Sequence, residues 1–150
     1  MLRPAYVIRD AGSNDAPAVG ALFNEASIAN WTRPLGVSEE QSAAAWPRTI
    51  REGQVLTAWD GDELCGCSAF WSGQVCFAVM PARRSRGLAS TLLASSIEQF
   101  SSGNRRHLHA LVRRGNDAAQ ATLLKYGFRF AGLLQHRNGQ HAEMLARFMR

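Results

Sequence analysis

The residues best suited to chemistry in this chain stand together at positions 83–89, Arg83-Arg84-Ser85-Arg86-Gly87-Leu88-Ala89. Guanidinium groups match phosphate oxygens in bidentate geometry, and Arg83, Arg84 and Arg86 offer them side by side. Gly87 and Ala89 keep the chain narrow where an apolar helical pattern begins, so backbone amides can face an anion. A helix starting there aims its unpaired N–H groups and the positive end of its dipole at the same point. The chemistry this predicts is phosphate binding. A solvated strand-to-helix turn has the same composition, so the rest of the chain has to discriminate between the two.

Proton-handling groups are scattered rather than clustered. Glu25 lies on the first predicted helix, His107 and His109 on a predicted strand, and His141 beside the terminal hairpin, where imidazole chemistry near neutral pH makes each a candidate base. A histidine in a strand is more often a packing or surface residue. Cys65, Cys67 and Cys76 fall on one sheet face if residues 72–73 form a two-residue hairpin. They lack a C-x-x-C knuckle and a fourth ligand, so buried small residues are expected and no metal.

The elements that must position these groups follow from periodicity and turn signals. A strand at 6–9 precedes a helix capped from Ser13, Asn14 or Asp15, with Val19, Leu22, Phe23 and Ile28 as its apolar residues. Residues 30–37, with Pro34 and Gly36, read as a loop. Ser38-Glu39-Glu40-Gln41 is a capping box opening a second helix, which Pro47 is expected to kink or reset and Gly53 to end. Strands at 54–59, 63–71 and 74–79 form an antiparallel meander, and Pro81 blocks further pairing of the last. A helix at 88–100, a strand at 107–112, a helix at 117–126 ended by Gly127, and strands at 128–134 and 141–148 around Asn138-Gly139 complete the order β-α-α-β-β-β-α-β-α-β-β.

The chain has 150 residues, enough for one domain with a sizeable core. It carries a formal charge of +5, and all but one of its 17 basic residues are arginine, the exception being Lys125. The arginines are dispersed, which argues for a local phosphate site over a nucleic-acid groove. No run of 18 apolar residues and no hydrophobic leader is seen, and an odd cysteine count does not suit a disulfide framework, so a cytoplasmic chain with no membrane partner is expected.

Arg84-x-x-Gly87-x-Ala89, after an apolar strand and before Leu92-Leu93, resembles the acetyl-CoA pyrophosphate loop of the GNAT N-acetyltransferase superfamily. Asn116-x-x-Ala119-x-x-Leu123-x-Lys125-x-Gly127-Phe128 resembles that family's second motif, and the element order resembles its fold over essentially the whole chain. Ile8-Arg9, Asn24 and the terminal hairpin look most like the phosphinothricin or amino-acid branch, although the chain is shorter.

The resemblance implies an α/β fold with a mostly antiparallel mixed sheet of six or seven strands flanked by about four helices, in one domain spanning residues 1–150. It implies direct acetyl transfer from acetyl-CoA to a primary amine, a small amino acid or analogue ahead of a protein N-terminus or lysine, with a non-catalytic acyl-CoA-binding module as the alternative. The implied cofactor contacts are Phe77, Val79, Arg84, Ser85, Arg86, Gly87, Leu88, Ala89 and Asn116, with Arg83, Arg84 or Arg86 near the 3'-phosphate. Asn116 could equally be a plain helix cap. Acceptor contacts are assigned to Asn24, Trp31, Arg33 and Trp71, of which the tryptophans are more simply core aromatics. The partner is then a small-molecule amine, not nucleic acid, with room for a homodimer. Two positions depart from the family pattern: Leu123 replaces the tyrosine general acid and Gln74 the strand carboxylate.

Overall fold

Helix starts are set by local capping. Ser38 Oγ accepts from the Gln41 amide at 3.1 Å while Gln41 Oε1 accepts from the Ser38 amide at 2.9 Å, which opens the helix Glu39–Glu52. The computed structural model describes residues 6–25, 27–28, 38–71, 73–84, 87–101, 107–113, 115–135, 139 and 141–148. Among them the helices are α1 (Ala16–Asn24), α2 (Glu39–Glu52), α3 (Leu88–Ser101) and α4 (Asp117–Lys125). The strands are β1 (Val7–Asp10), β2 (Gln54–Asp60), β3 (Glu63–Trp71), β4 (Gln74–Val79), β5 (His107–Arg113), β6 (Arg129–Gln135) and β7 (His141–Phe148). None of the described helices is long and apolar enough to cross a membrane.

Pro47 does not divide α2, which runs unbroken from Glu39 to Glu52. Its neighbour Trp46 is buried and stacks on Phe23 of α1, with ring centroids 4.6 Å apart, so tertiary packing holds the helix across the amide that proline lacks.

The seven described strands form one sheet in the order β1-β2-β3-β4-β5-β7-β6, matching the expected mixed α/β class. Every pairing is antiparallel except β4 with β5, which the α3 crossover makes parallel. Helices α1 and α2 cover one face through Val19, Leu22, Phe23 and Trp46. On the other face α3 and α4 pack Leu92, Leu93 and Leu123 against β2 to β5. Gly66 of β3 lets α3 lie close, because a Cβ there would meet Leu92 Cδ1 at 3.0 Å and Leu88 Cδ2 at 3.2 Å. Beneath α3, Ser96 Oγ donates to Ser68 Oγ at 2.9 Å, so these two buried hydroxyls satisfy each other.

The cysteines do not share one face. The β2–β3 register shifts at Ala58/Trp59, and this bulge turns Cys65 into the cluster under α3 with Leu56, Ala58 and Leu92, whereas Cys67 packs with Val19 and Phe23 below α1. Burial raises the Cys67 thiol well above its ordinary pKa, as befits an inert core residue. Among the described residues no three His, Cys, Asp or Glu side chains are grouped to hold a metal.

Candidate active site

Strands β4 and β5 touch at only one register pair, Gln74 with His109, supplemented by the His109 amide donating to Gly73 O at 2.9 Å. Beyond that point β4 stays on β3 while β5 stays on β7, so the two strands splay. Backbone direction alternates along β4. The Met80 amide donates back to Cys65 of β3 at 2.8 Å and the Gly73 carbonyl faces β5, so Phe77 and Val79 present their N–H and C=O groups to the opening.

Two helix N-termini close on the same opening. The first hydrogen bond of α3 runs from the Thr91 amide to Gly87 O at 3.0 Å, which leaves the amides of Leu88, Ala89 and Ser90 without helical acceptors. In α4 the Gln120 amide donates to Asn116 O at 3.1 Å, and Asn116 Oδ1 accepts from the Ala119 amide at 3.5 Å. Phe77, Val79, Gly87, Leu88, Ala89, Ser90, Asn116 and Ala119 all line one cleft of about 610 Å³, with Ser27 and Ile28 from beyond α1 on its other wall. Gly87 has φ +78°, and a Cβ built on it would meet nothing within 4 Å, so its side faces open space at the mouth of the cradle.

The arginines have separate tasks. Arg83 is tied to the β2–β3 turn, with Nη1 2.8 Å from Asp60 and Nη2 3.0 Å from Glu63, and these carboxylates hold its guanidinium above its ordinary pKa. Arg84 instead crosses the cleft, where Nε donates to Val79 O at 3.2 Å and Nη2 to Ser27 Oγ at 3.4 Å.

The cleft gathers Phe77, Val79, Arg84, Gly87, Leu88, Ala89 and Asn116. Ser85, Arg86, Trp31 and Arg33 lie outside the described residues. Asn24 donates to Glu39 O at 3.4 Å, and Trp71 is 46% exposed at the end of β3; neither lines the cleft, and Trp71 is not a core aromatic either. His141 sits at the exposed start of β7. His109, on β5, is not among the residues that line the cleft, and burial followed by the charge of His107 lowers its pKa. Glu25 ends α1, and its Oε2 accepts from the amide of Ser27 at 3.1 Å and from the Ser27 hydroxyl.

Ser27, Ile28 and Thr122 are cleft residues that sequence patterning did not single out, since helical periodicity marks Ile28 as core and a lone Ser or Thr carries no motif. Thr122 shares the cleft-facing stripe of α4 with Ala118 and Ala119, whereas Leu123, one step round the helix, is 1% exposed among Leu93, Leu108 and Phe128. Leu123→Tyr is therefore expected to cost about 1–3 kcal/mol by overpacking, with no gain in turnover. An unchanged Tm or a raised kcat would contradict this.

Residues 18–128 match the family model of the acetyltransferase (GNAT) family. Similar solved structures include the acetyltransferase of the GNAT family from Streptococcus pneumoniae, 19% identical with a TM-score of 0.74 over 97% of this chain and 100% of that one. Ribosomal-protein-alanine N-acetyltransferase from Brucella melitensis is 25% identical, with a TM-score of 0.76 over 95% and 99%. A GNAT superfamily phosphinothricin acetyltransferase from Sinorhizobium meliloti, in complex with acetyl-CoA, is 15% identical with a TM-score of 0.73 over 96% and 88%. No curated protein sequence matches the chain. With the family model spanning most of its length and the fold shared throughout, the chain belongs to the GNAT family of acetyltransferases.

Proposed function

We propose that this chain moves acetyl from acetyl-CoA to the primary amine of a small amino acid or analogue. The observation that carries the reading is the convergence of a splayed β4 edge and two helix N-termini on one cleft. A diphosphate fits the amides of Leu88, Ala89 and Ser90 beside the open flank of Gly87, since each amide donates to anionic oxygen without rearrangement. An amide-containing arm fits the backbone of Phe77 and Val79 as an added strand, with Asn116 across from it. Acetyl-CoA supplies an acetyl group already activated as a thioester.

Positioning then contributes most to the rate, because the cleft brings no tyrosine to position 123 and a thiolate leaves readily without an acid. The likeness to a ribosomal-protein-alanine N-acetyltransferase favours a second reading, a protein N-terminus as acceptor. Release of CoA thiol, followed across free amino acids, polyamines, aminoglycosides and tripeptides, separates the readings. Turnover is expected with an amino acid, and turnover confined to tripeptides transfers the assignment to protein N-termini. Acetyl-CoA binding with no turnover on any amine leaves a non-catalytic binding module.

A further inference from the structure

Strand β3 holds the start of the cradle at three points. The Met80 amide donates to Cys65 O at 2.8 Å, Leu88 at the start of α3 rests on Gly66, and Arg83 reaches back to Glu63. The third point joins two separate conflicts of geometry and charge. Asp60 and Glu63 are the last register pair of β2 and β3, directly opposite each other across the turn at Gly61, where two carboxylates repel. The Arg83 guanidinium forks between them, Nη1 to Asp60 and Nη2 to Glu63, and the rigid plane of the group fixes the direction from which its backbone arrives.

That backbone is the single turn Pro81–Arg83, closed by the Arg83 amide donating to Met80 O at 2.8 Å. Arg84 follows, and Gly87 and the unpaired amides of Leu88, Ala89 and Ser90 lie a few residues further on. A displacement of Arg83 is passed along this short stretch to those donors, and a hydrogen bond weakens steeply when its donor is misdirected. Arg83 also lines the cleft, but both terminal nitrogens are on carboxylates and its side chain is only 17% exposed. A phosphate would have to displace one carboxylate and would be repelled by the other.

Resting on the placement of acetyl-CoA in this cleft, we infer that Arg83 is a positioning residue. Bridged to Asp60 and Glu63, it fixes the turn between β4 and α3 so that the amides of Leu88, Ala89 and Ser90 meet the diphosphate, and it takes no phosphate itself. The two roles open to an arginine beside a phosphate site diverge once the carboxylates are removed. A clamp without its anchor does nothing, so Arg83→Met then has no further effect. A phosphate contact freed of its competitors grows stronger, so Arg83→Met then costs more.

The test is a mutant cycle on the full chain, read by titration calorimetry as the Kd for acetyl-CoA and for 3'-dephospho-acetyl-CoA. Arg83→Met is expected to weaken both ligands by the same factor, about tenfold, and the double variant Asp60→Ala with Glu63→Ala by a similar one. The triple variant should lose no more than the double. It has no facing carboxylates left to repel, so the comparison of triple with double stands even where Arg83→Met alone unfolds. With the fastest acceptor amine, KM for acetyl-CoA should rise while kcat stays within about twofold, whereas a role in folding alone lowers the active fraction and leaves KM unchanged. Unchanged affinity in Arg83→Met, a loss confined to the ligand that carries the 3'-phosphate, tighter binding by the double variant, or a further loss in the triple each overturn the clamp. Absence of acetyl-CoA binding in the wild-type protein removes the cofactor placement and the clamp together, an outcome distinct from a wild-type protein that binds and an Arg83→Met variant that binds equally well.

Discussion

Gly87→Glu is expected to abolish acetyl-CoA binding while the chain stays folded. The position has φ +78°, where a side chain costs about 1–2 kcal/mol, and it immediately precedes α3. No heavy atom stands within 4 Å of the site of a new Cβ, so the loss of stability is confined to that backbone strain. Gly87→Ala and Gly87→Glu therefore share the same stability cost and differ in what they place at the cradle. Alanine adds a methyl group to open space. Glutamate brings a negative charge to the amides of Leu88, Ala89 and Ser90, where it competes for the donors proposed for the diphosphate and repels an anion there. Titration calorimetry on both variants, with thermal melts as the control for folding, should show measurable binding for Gly87→Ala and none for Gly87→Glu. Retained affinity in the glutamate variant would place the diphosphate elsewhere.

Phe128→Ala is expected to give the largest loss of stability from any single truncation on this side of the sheet. Phe128 is fully buried and belongs to the cluster of Leu93 of α3, Leu108 of β5, Leu123 of α4 and Leu145 of β7. It reaches that place because α4 ends in a Schellman turn: Gly127 adopts φ +89°, the Gly127 amide donates to Leu124 O, and the Phe128 amide donates to Leu123 O, each at 3.1 Å. Removing the ring should cost about 3–5 kcal/mol. For a chain of this size that lowers Tm by roughly 10 °C in a thermal melt. Because the same ring supports α3 and α4, whose N-termini form the two ends of the cleft, acetyl-CoA binding should fail together with the fold rather than before it. A Tm within about 2 °C of wild type would show that the cluster is not the common support of the two helices.

The strand and helix boundaries were readable from local signals because they are local physics. Ser38 and Gln41 cap each other within one turn, Gly127 takes a left-handed conformation wherever it stands in such a motif, and the strands Glu63–Trp71, Gln74–Val79 and His141–Phe148 are bounded by turn residues as expected. That Arg84, Gly87 and Ala89 stand together beside the unpaired amides of a helix start was legible for the same reason, since spacing along a turn and the first residues of a helix fix which amides are exposed.

Contacts between distant segments obey no such spacing. Trp46 anchors the unbroken α2 beside Pro47 through a ring on another helix, and a one-residue bulge at Ala58/Trp59 sends Cys65 to the face opposite Cys67. Arg83 and Arg84 are adjacent and chemically alike, yet one is bound to Asp60 and Glu63 and the other reaches across to Ser27, because successive side chains leave the backbone in different directions and meet different partners. The Glu25–Ser27–Arg84–Val79 chain joins residues more than 50 positions apart, and nothing in the sequence near Ser27 announces it. The turn from Arg84 to Ala89 is thus written in nearly consecutive residues, whereas the bonds of Arg84 to Val79 O and Ser27 Oγ exist only once the fold has brought the segment after α1 to the end of β4, since hydrogen bonds depend on distance in space and not along the chain.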